Sequence, residues 1–176
     1  MGVEFVNVTV DTSGLYAVST RDYGTVAIVG DGGNAAAAPV RIGSYAEAEA
    51  SFAGSELGDA VKLALLNGAA SVWAVDTGTK SVVSVEEALV KLEGVDVQIV
   101  CIANTVEDAT NAYISGALAD HVLVAATDRI GVCMLGKGED VSTMPTAIGD
   151  LLAAGSSKLF CVAHNSADDV AAAVSG

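Results

Sequence analysis

Residues 57–77, LGDAVKLALLNGAASVWAVDT, restrict the possible folds more than any other stretch, because an amphipathic helix there runs through a glycine stop into an uncharged strand. Leu57, Val61, Ala64 and Leu65 recur at the three-to-four spacing of one helical face, with Asp59 and Lys62 elsewhere on the surface. Such a helix is expected to lie on a sheet. Asn67-Gly68 supplies the left-handed residue that closes its last turn. The strand over 71–75 then carries Val72, Trp73, Ala74 and Val75, too apolar for a sheet wetted on one side, so it is expected to be central and covered on both faces. The predicted core is therefore Leu57, Val61, Leu65, Trp73 and Val75.

The rest of the chain repeats this helix, glycine, buried strand pattern. Residues 24–30 form a compact buried strand, and the Asp31-Gly32-Gly33-Asn34 loop opens an alanine run that Pro39 interrupts before a short extended piece at 40–42. Ser44 with Glu47, and Ser84 with Glu87, have the spacing of capping boxes. They predict one helix through Phe52 and another ending near Leu92 before Gly94. Strands are expected at 97–103, 130–135 and 159–163. Helices are expected from Thr105 to Ala126 with a jog at Gly116, over 144–154, and from Ser166 onwards. Strands alternating with helices on short links imply an α/β fold, a mostly parallel central sheet with helices on both faces. Val3, Phe5, Val8 and Val10 lie in a β-prone N-terminal stretch that precedes the repeats and reads as an extended arm or edge strand. A chain of 176 residues, 52% of them hydrophobic, has material for one core. The expected organisation is an arm and turn over 1–22 and a single α/β domain over 23–176.

Twenty-two acidic against eight basic residues give a net charge of −14, which repels nucleic-acid phosphates and anionic membranes. No nucleic acid and no membrane insertion are expected, since no apolar run approaches the ~20 residues of a spanning helix. The N-terminus lacks the basic and apolar segments of a signal peptide, so a soluble chain made in the cytoplasm is expected. The acidic excess is compatible both with adaptation to high salt and with an ordinary acidic surface. Cys101, Cys133 and Cys161 are far apart, each inside an apolar strand, and read as small buried hydrophobes.

Chemistry-bearing motifs are few. Gly30-Asp31-Gly32-Gly33-Asn34-Ala35 fits GxGxxA directly after a strand, where backbone amides at a helix start could hold the pyrophosphate of a nucleotide. Against that, Pro39 breaks the helix the motif must open, and no second strand ends in an acidic residue ~20 positions later to take a ribose. His121 and His164 have no cysteine or carboxylate at ligand spacing, so no metal is expected. There is no nucleophile elbow, Walker lysine or HExxH. The acid pairs Glu86-Glu87 and Asp168-Asp169 read as helix-start residues offsetting the dipole. Neither a catalytic residue nor a cofactor is predicted.

Several ordered pieces together resemble the contractile tail sheath proteins of myophages and related injection systems. Val3-Glu4-Phe5, Asp11-Thr12-Ser13-Gly14, Val18-Ser19-Thr20 and the strand at 26–30 are similar to the family's opening. Pro39 to Ile42 with Ser44-Tyr45, the helix to Gly54, and above all residues 57–75 continue the likeness, which returns at Asp128-Arg129-Ile130. The match spans most of the chain, its specificity lying in the order and spacing of the pieces. Two features depart from the family: Leu135-Gly136 stands where an aspartate is usual, and the chain stops at Ser175-Gly176 where members usually continue into a C-terminal domain and arm. A piece of a longer chain or an abbreviated sheath is expected. The resemblance implies a non-enzymatic subunit, made in the host cytoplasm, that polymerises with itself helically around a tail tube protein, in a virion tail or injection system. It also implies that the terminal arm adds a strand to a neighbouring subunit's sheet. The competing expectation is a nucleotide- or small-ligand-binding α/β domain that uses the loop from Gly30 to Ala35.

Overall fold

A computed structural model describes residues 24–103, 110–125, 128–134, 158–162 and 170–176. The arm residues Val3, Phe5, Val8 and Val10, the helix expected at 144–154 and His164 lie outside the described residues.

The described chain builds one six-stranded sheet. In sequence its elements are β1 (Val26–Gly30), β2 (Val40–Ile42), α1 (Tyr45–Phe52), α2 (Glu56–Leu66), β3 (Val72–Asp76), α3 (Val82–Lys91), β4 (Ile99–Ile102), α4 (Thr110–Val124), β5 (Ile130–Met134), β6 (Leu159–Val162) and α5 (Val170–Ser175). The sheet order is β2-β3-β1-β4-β5-β6, all pairs parallel except the antiparallel edge pair of β2 with β3. Leaving β2 aside, the parallel strands run in the doubly wound order 2-1-3-4-5, whose direction reverses between β1 and β4. The predicted α/β class, mostly parallel with helices on both faces, is the observed one.

Each local signal can be followed into the fold. Ser44 caps α1 by accepting the Glu47 amide at 3.3 Å, while the Glu47 carboxylate accepts the Gly43 amide at 2.7 Å, one residue outside the usual capping box. At the far end of α2 the Ala69 amide reaches the Ala64 carbonyl, the Gly68 amide reaches that of Leu65, and Gly68 takes φ 120°, the glycine-closed stop that the sequence predicts. Alternation along β3 sends Val72 and Ala74 to the face covered by α1, α2 and α5, and Trp73 and Val75 to the face covered by α3 and α4. Leu57, Val61, Val75 and all five residues of β1 are buried, as a strand covered on both faces requires.

Six expectations need correction. β3 is an interior strand but not the centre; β1 and β4 are, because the 40–42 segment adds only a three-residue edge outside β3. Trp73 is consequently half-buried, since its partner in the register across β2 is the exposed Arg41, beyond which the sheet ends. Leu65 is also half-buried, because the stripe that α2 presses on the sheet is Leu57, Ala60, Val61 and Ala64 and leaves Leu65 at its margin. Helix α3 begins at Val82, capped by Ser81, whose hydroxyl accepts the Ser84 amide at 3.1 Å. Glu86 and Glu87 thus stand beyond its first turn, and α4 runs through Gly116 without a jog. Among the described residues no helix is long and apolar enough to cross a membrane.

Candidate functional site

The C-terminal rim of the sheet, where open α/β folds place their ligands, carries the glycine loop that follows β1. Its geometry is set by a residue 44 positions away. Asp76, the last residue of β3 and 2% exposed, turns its carboxylate into the loop. Oδ1 accepts the amides of Gly32 and Gly78, each at 2.8 Å, and Oδ2 accepts the amide of Asn34 at 3.2 Å. The Gly33 amide donates to the Asp31 carboxylate at 2.9 Å, and the Asn34 side-chain amide donates to the Gly32 carbonyl at 3.3 Å. The donors that a pyrophosphate would need are therefore engaged by the protein's own carboxylates. Residues 35–39 are not helical and lead into β2, so the motif opens no helix of its own. The helix start that does meet the loop is that of α2, whose Leu57 amide donates to the Asp31 carbonyl at 3.2 Å.

The same contacts explain the glycines. A Cβ on Gly32 would come within 2.3 Å of Asp76 Oδ2 and 2.9 Å of Phe52 Cδ1, so a side chain there and the buried carboxylate exclude each other. Beside the loop an open cleft of about 550 Å³ is lined by Asp31, Asn34, Phe52, Glu56 and Lys80 among others. The Lys80 ammonium is paired with the Glu56 carboxylate, so the cleft presents carboxylates without a surplus of positive charge to attract a phosphate.

A second constellation stands at the entrance to β5. Arg129 is 1% exposed and makes three described hydrogen bonds, donating through one guanidinium nitrogen to the carbonyls of Leu92 at 2.9 Å and Val95 at 2.6 Å, and through the other to His121 Nε2 at 2.8 Å. The end of α3, the turn after it and the last turn of α4 are thereby joined to the start of β5. Burial lowers the affinity of His121 for a proton, and the neighbouring Arg129 charge lowers it further, against a smaller opposing effect of Glu93. Burial also lowers the Arg129 pKa, with Asp96 and Glu93 opposing.

No protein-family model matches the chain, and no curated protein matches it.

Leu57 and Val61 meet Val72 in one core layer while Val75 lies in the other, so the predicted core residues serve the fold and do not converge on a site. The motif at Gly30 to Ala35 does reach the rim. Asp76 and the Arg129 cluster were not identified as sites from sequence. The available signal for Asp76 was an acid ending an apolar strand immediately before Thr77-Gly78; for Arg129 it was a lone arginine at the mouth of a strand. Two edges of the sheet remain open among the described strands, β2 with Val40 exposed and β6 with Phe160 exposed. An open edge carries unpaired backbone donors and acceptors to which an extended segment can add.

Proposed function

We propose that the chain is a structural subunit of a contractile tail sheath, polymerising with itself helically around a tail tube protein as part of a virion tail or injection system. The observation that carries this reading is the way the resembling pieces meet. The strand at 26–30, the piece at 40–42, the helix after Ser44 and the unit at 57–75 are short and separate in sequence, yet they form one packed block. In it β1 and β2 flank β3 while α1 and α2 share the same core layer. Order and spacing, which carry the resemblance, are thus what this part of the fold depends on. The edges at β2 and β6, open among the described residues, support the reading further, since a polymer whose subunits exchange strands needs acceptor edges and heterologous, non-closing contacts. The rim geometry supports it over nucleotide binding, because Asp76 engages the loop amides.

Negative-stain electron microscopy of the full chain at high concentration, with and without tube protein, tests the proposal. Helical tubes of regular subunit repeat are the expected result. A chain that stays monomeric under both conditions while binding a nucleotide saturably at micromolar concentration would overturn it.

A further inference from the structure

The Arg129 cluster is built around a hydrogen bond that depends on a protonation state. Arginine has only donors and remains charged at any physiological pH, so in the 2.8 Å contact His121 Nε2 must be the acceptor. The imidazole is therefore neutral, with its proton on Nδ1. Adding the second proton turns the acceptor into a donor and sets two cations against each other at a site where His121 is 9% exposed and Arg129 1%. The guanidinium cannot answer by leaving, because its other nitrogen is held by the Leu92 and Val95 carbonyls. The group free to move is His121, in the last turn of α4, with Leu118, Ala119 and Val122 of that helix forming part of the core layer on this face. Glu93 and Asp96, from the turn between α3 and β4, also act on the pair, both opposing the effect of burial.

We propose that the His121–Arg129 contact is an acid-operated latch, holding the C-terminal half of α4 against the α3 and β5 junction at neutral pH and releasing it on acidification. The sign follows from linkage. The His121 pKa in the folded chain lies below its ordinary value of 6.5, so between the two values the unfolded or opened chain binds more protons than the closed one. The latch is fully closed above about pH 6.5 and weakens as pH falls through that window. Carboxylates with ordinary values titrate below it, near pH 4, so measurements kept above pH 5 leave the two histidines, and the His121→Gln comparison separates His121 from His164.

Hydrogen exchange of the full chain between pH 7.5 and 5.2, corrected for the intrinsic chemistry, tests this. Opening of the C-terminal amides of α4 should rise by up to about tenfold per pH unit within the window, while the amides of α2 on the opposite face stay level. His121→Gln keeps an acceptor for Arg129 but does not titrate, so its α4 opening should be independent of pH. A wild-type α4 with pH-independent opening, or a His121→Gln chain with the wild-type dependence, overturns the latch. If His121→Gln does not fold, the ring titration of wild-type His121 by NMR, assigned against His164→Asn, decides instead. A midpoint below 6.5 accompanied by shifts in α4 supports the latch, and a midpoint at or above 6.5 sinks it.

Discussion

Gly32 has no room for a side chain because Asp76 fills the space, and Asp76 stays buried because Gly32, Asn34 and Gly78 satisfy it with backbone amides. Loop and carboxylate therefore stabilise each other, and disturbing either should cost the whole knot. Gly32→Ala is expected to destabilise the fold by about 2 kcal/mol, through overpacking against a charged group that cannot retreat without losing its donors. Denaturant melts check it, and an unchanged midpoint would mean that the knot opens at little cost. Trp73 behaves differently. Half-buried beside the exposed Arg41, it should lose only about 2 kcal/mol on replacement by alanine, less than the roughly 3 to 5 kcal/mol of a fully enclosed tryptophan. Its fluorescence should be quenched appreciably by acrylamide. A loss above about 4 kcal/mol would place Trp73 in an enclosed core and contradict the edge position of β2.

Helices α1, α2 and α3 each begin at a serine whose hydroxyl accepts an amide three residues on: Ser44, Ser55 and Ser81. Such caps are worth about 1 kcal/mol each, and they fix where a helix starts more than whether it forms. Helix α3 illustrates this, since Ser81 and Ser84 are both capping residues and the chain uses the earlier one, which extends the helix toward β3. The N-terminal stretch is the element whose role bears most directly on the proposed function. Its residues up to Val10 precede the αβ repeats in the sequence. Deleting them should shift the melting temperature by less than about 2 °C while abolishing tubes in any form of the chain that assembles. Unfolding of the shortened chain would instead assign the arm to its own domain's core.

For the molecule as a whole, the proposed assembly would have to overcome charge. The chain carries a net charge of −14, so bringing copies together would raise a repulsion that ions screen beyond ~10 Å at about 0.1 M and more closely at higher salt. Tube formation by the intact chain should therefore be favoured as salt rises, which sedimentation across a salt series would read. Assembly that weakens with salt would mean that attractive ion pairs hold the subunits together. Among the described strands the sheet ends in one three-residue antiparallel edge and one parallel edge, two chemically different surfaces of the kind the proposed heterologous contact would use.

Apolar periodicity along 57–75 and 26–30 was enough to determine the α/β class and the burial of Leu57, Val61 and Val75, because burial of a helix stripe or a doubly covered strand is written in spacing alone. The Gly68 stop and the Ser44 cap were legible for a related reason: their hydrogen bonds close within five residues. The position of the glycine loop after β1 could be read in the same way, but its occupant could not. Asp76 reaches Gly32 across 44 residues, and Arg129 reaches Leu92 and Val95 across 37 and 34. Those partners, the central place of β1, and the half-exposure of Trp73 and Leu65 were decided only when the chain folded back on itself. Strand order and long-range polar pairing depend on which distant segments meet, and local spacing carries no record of that.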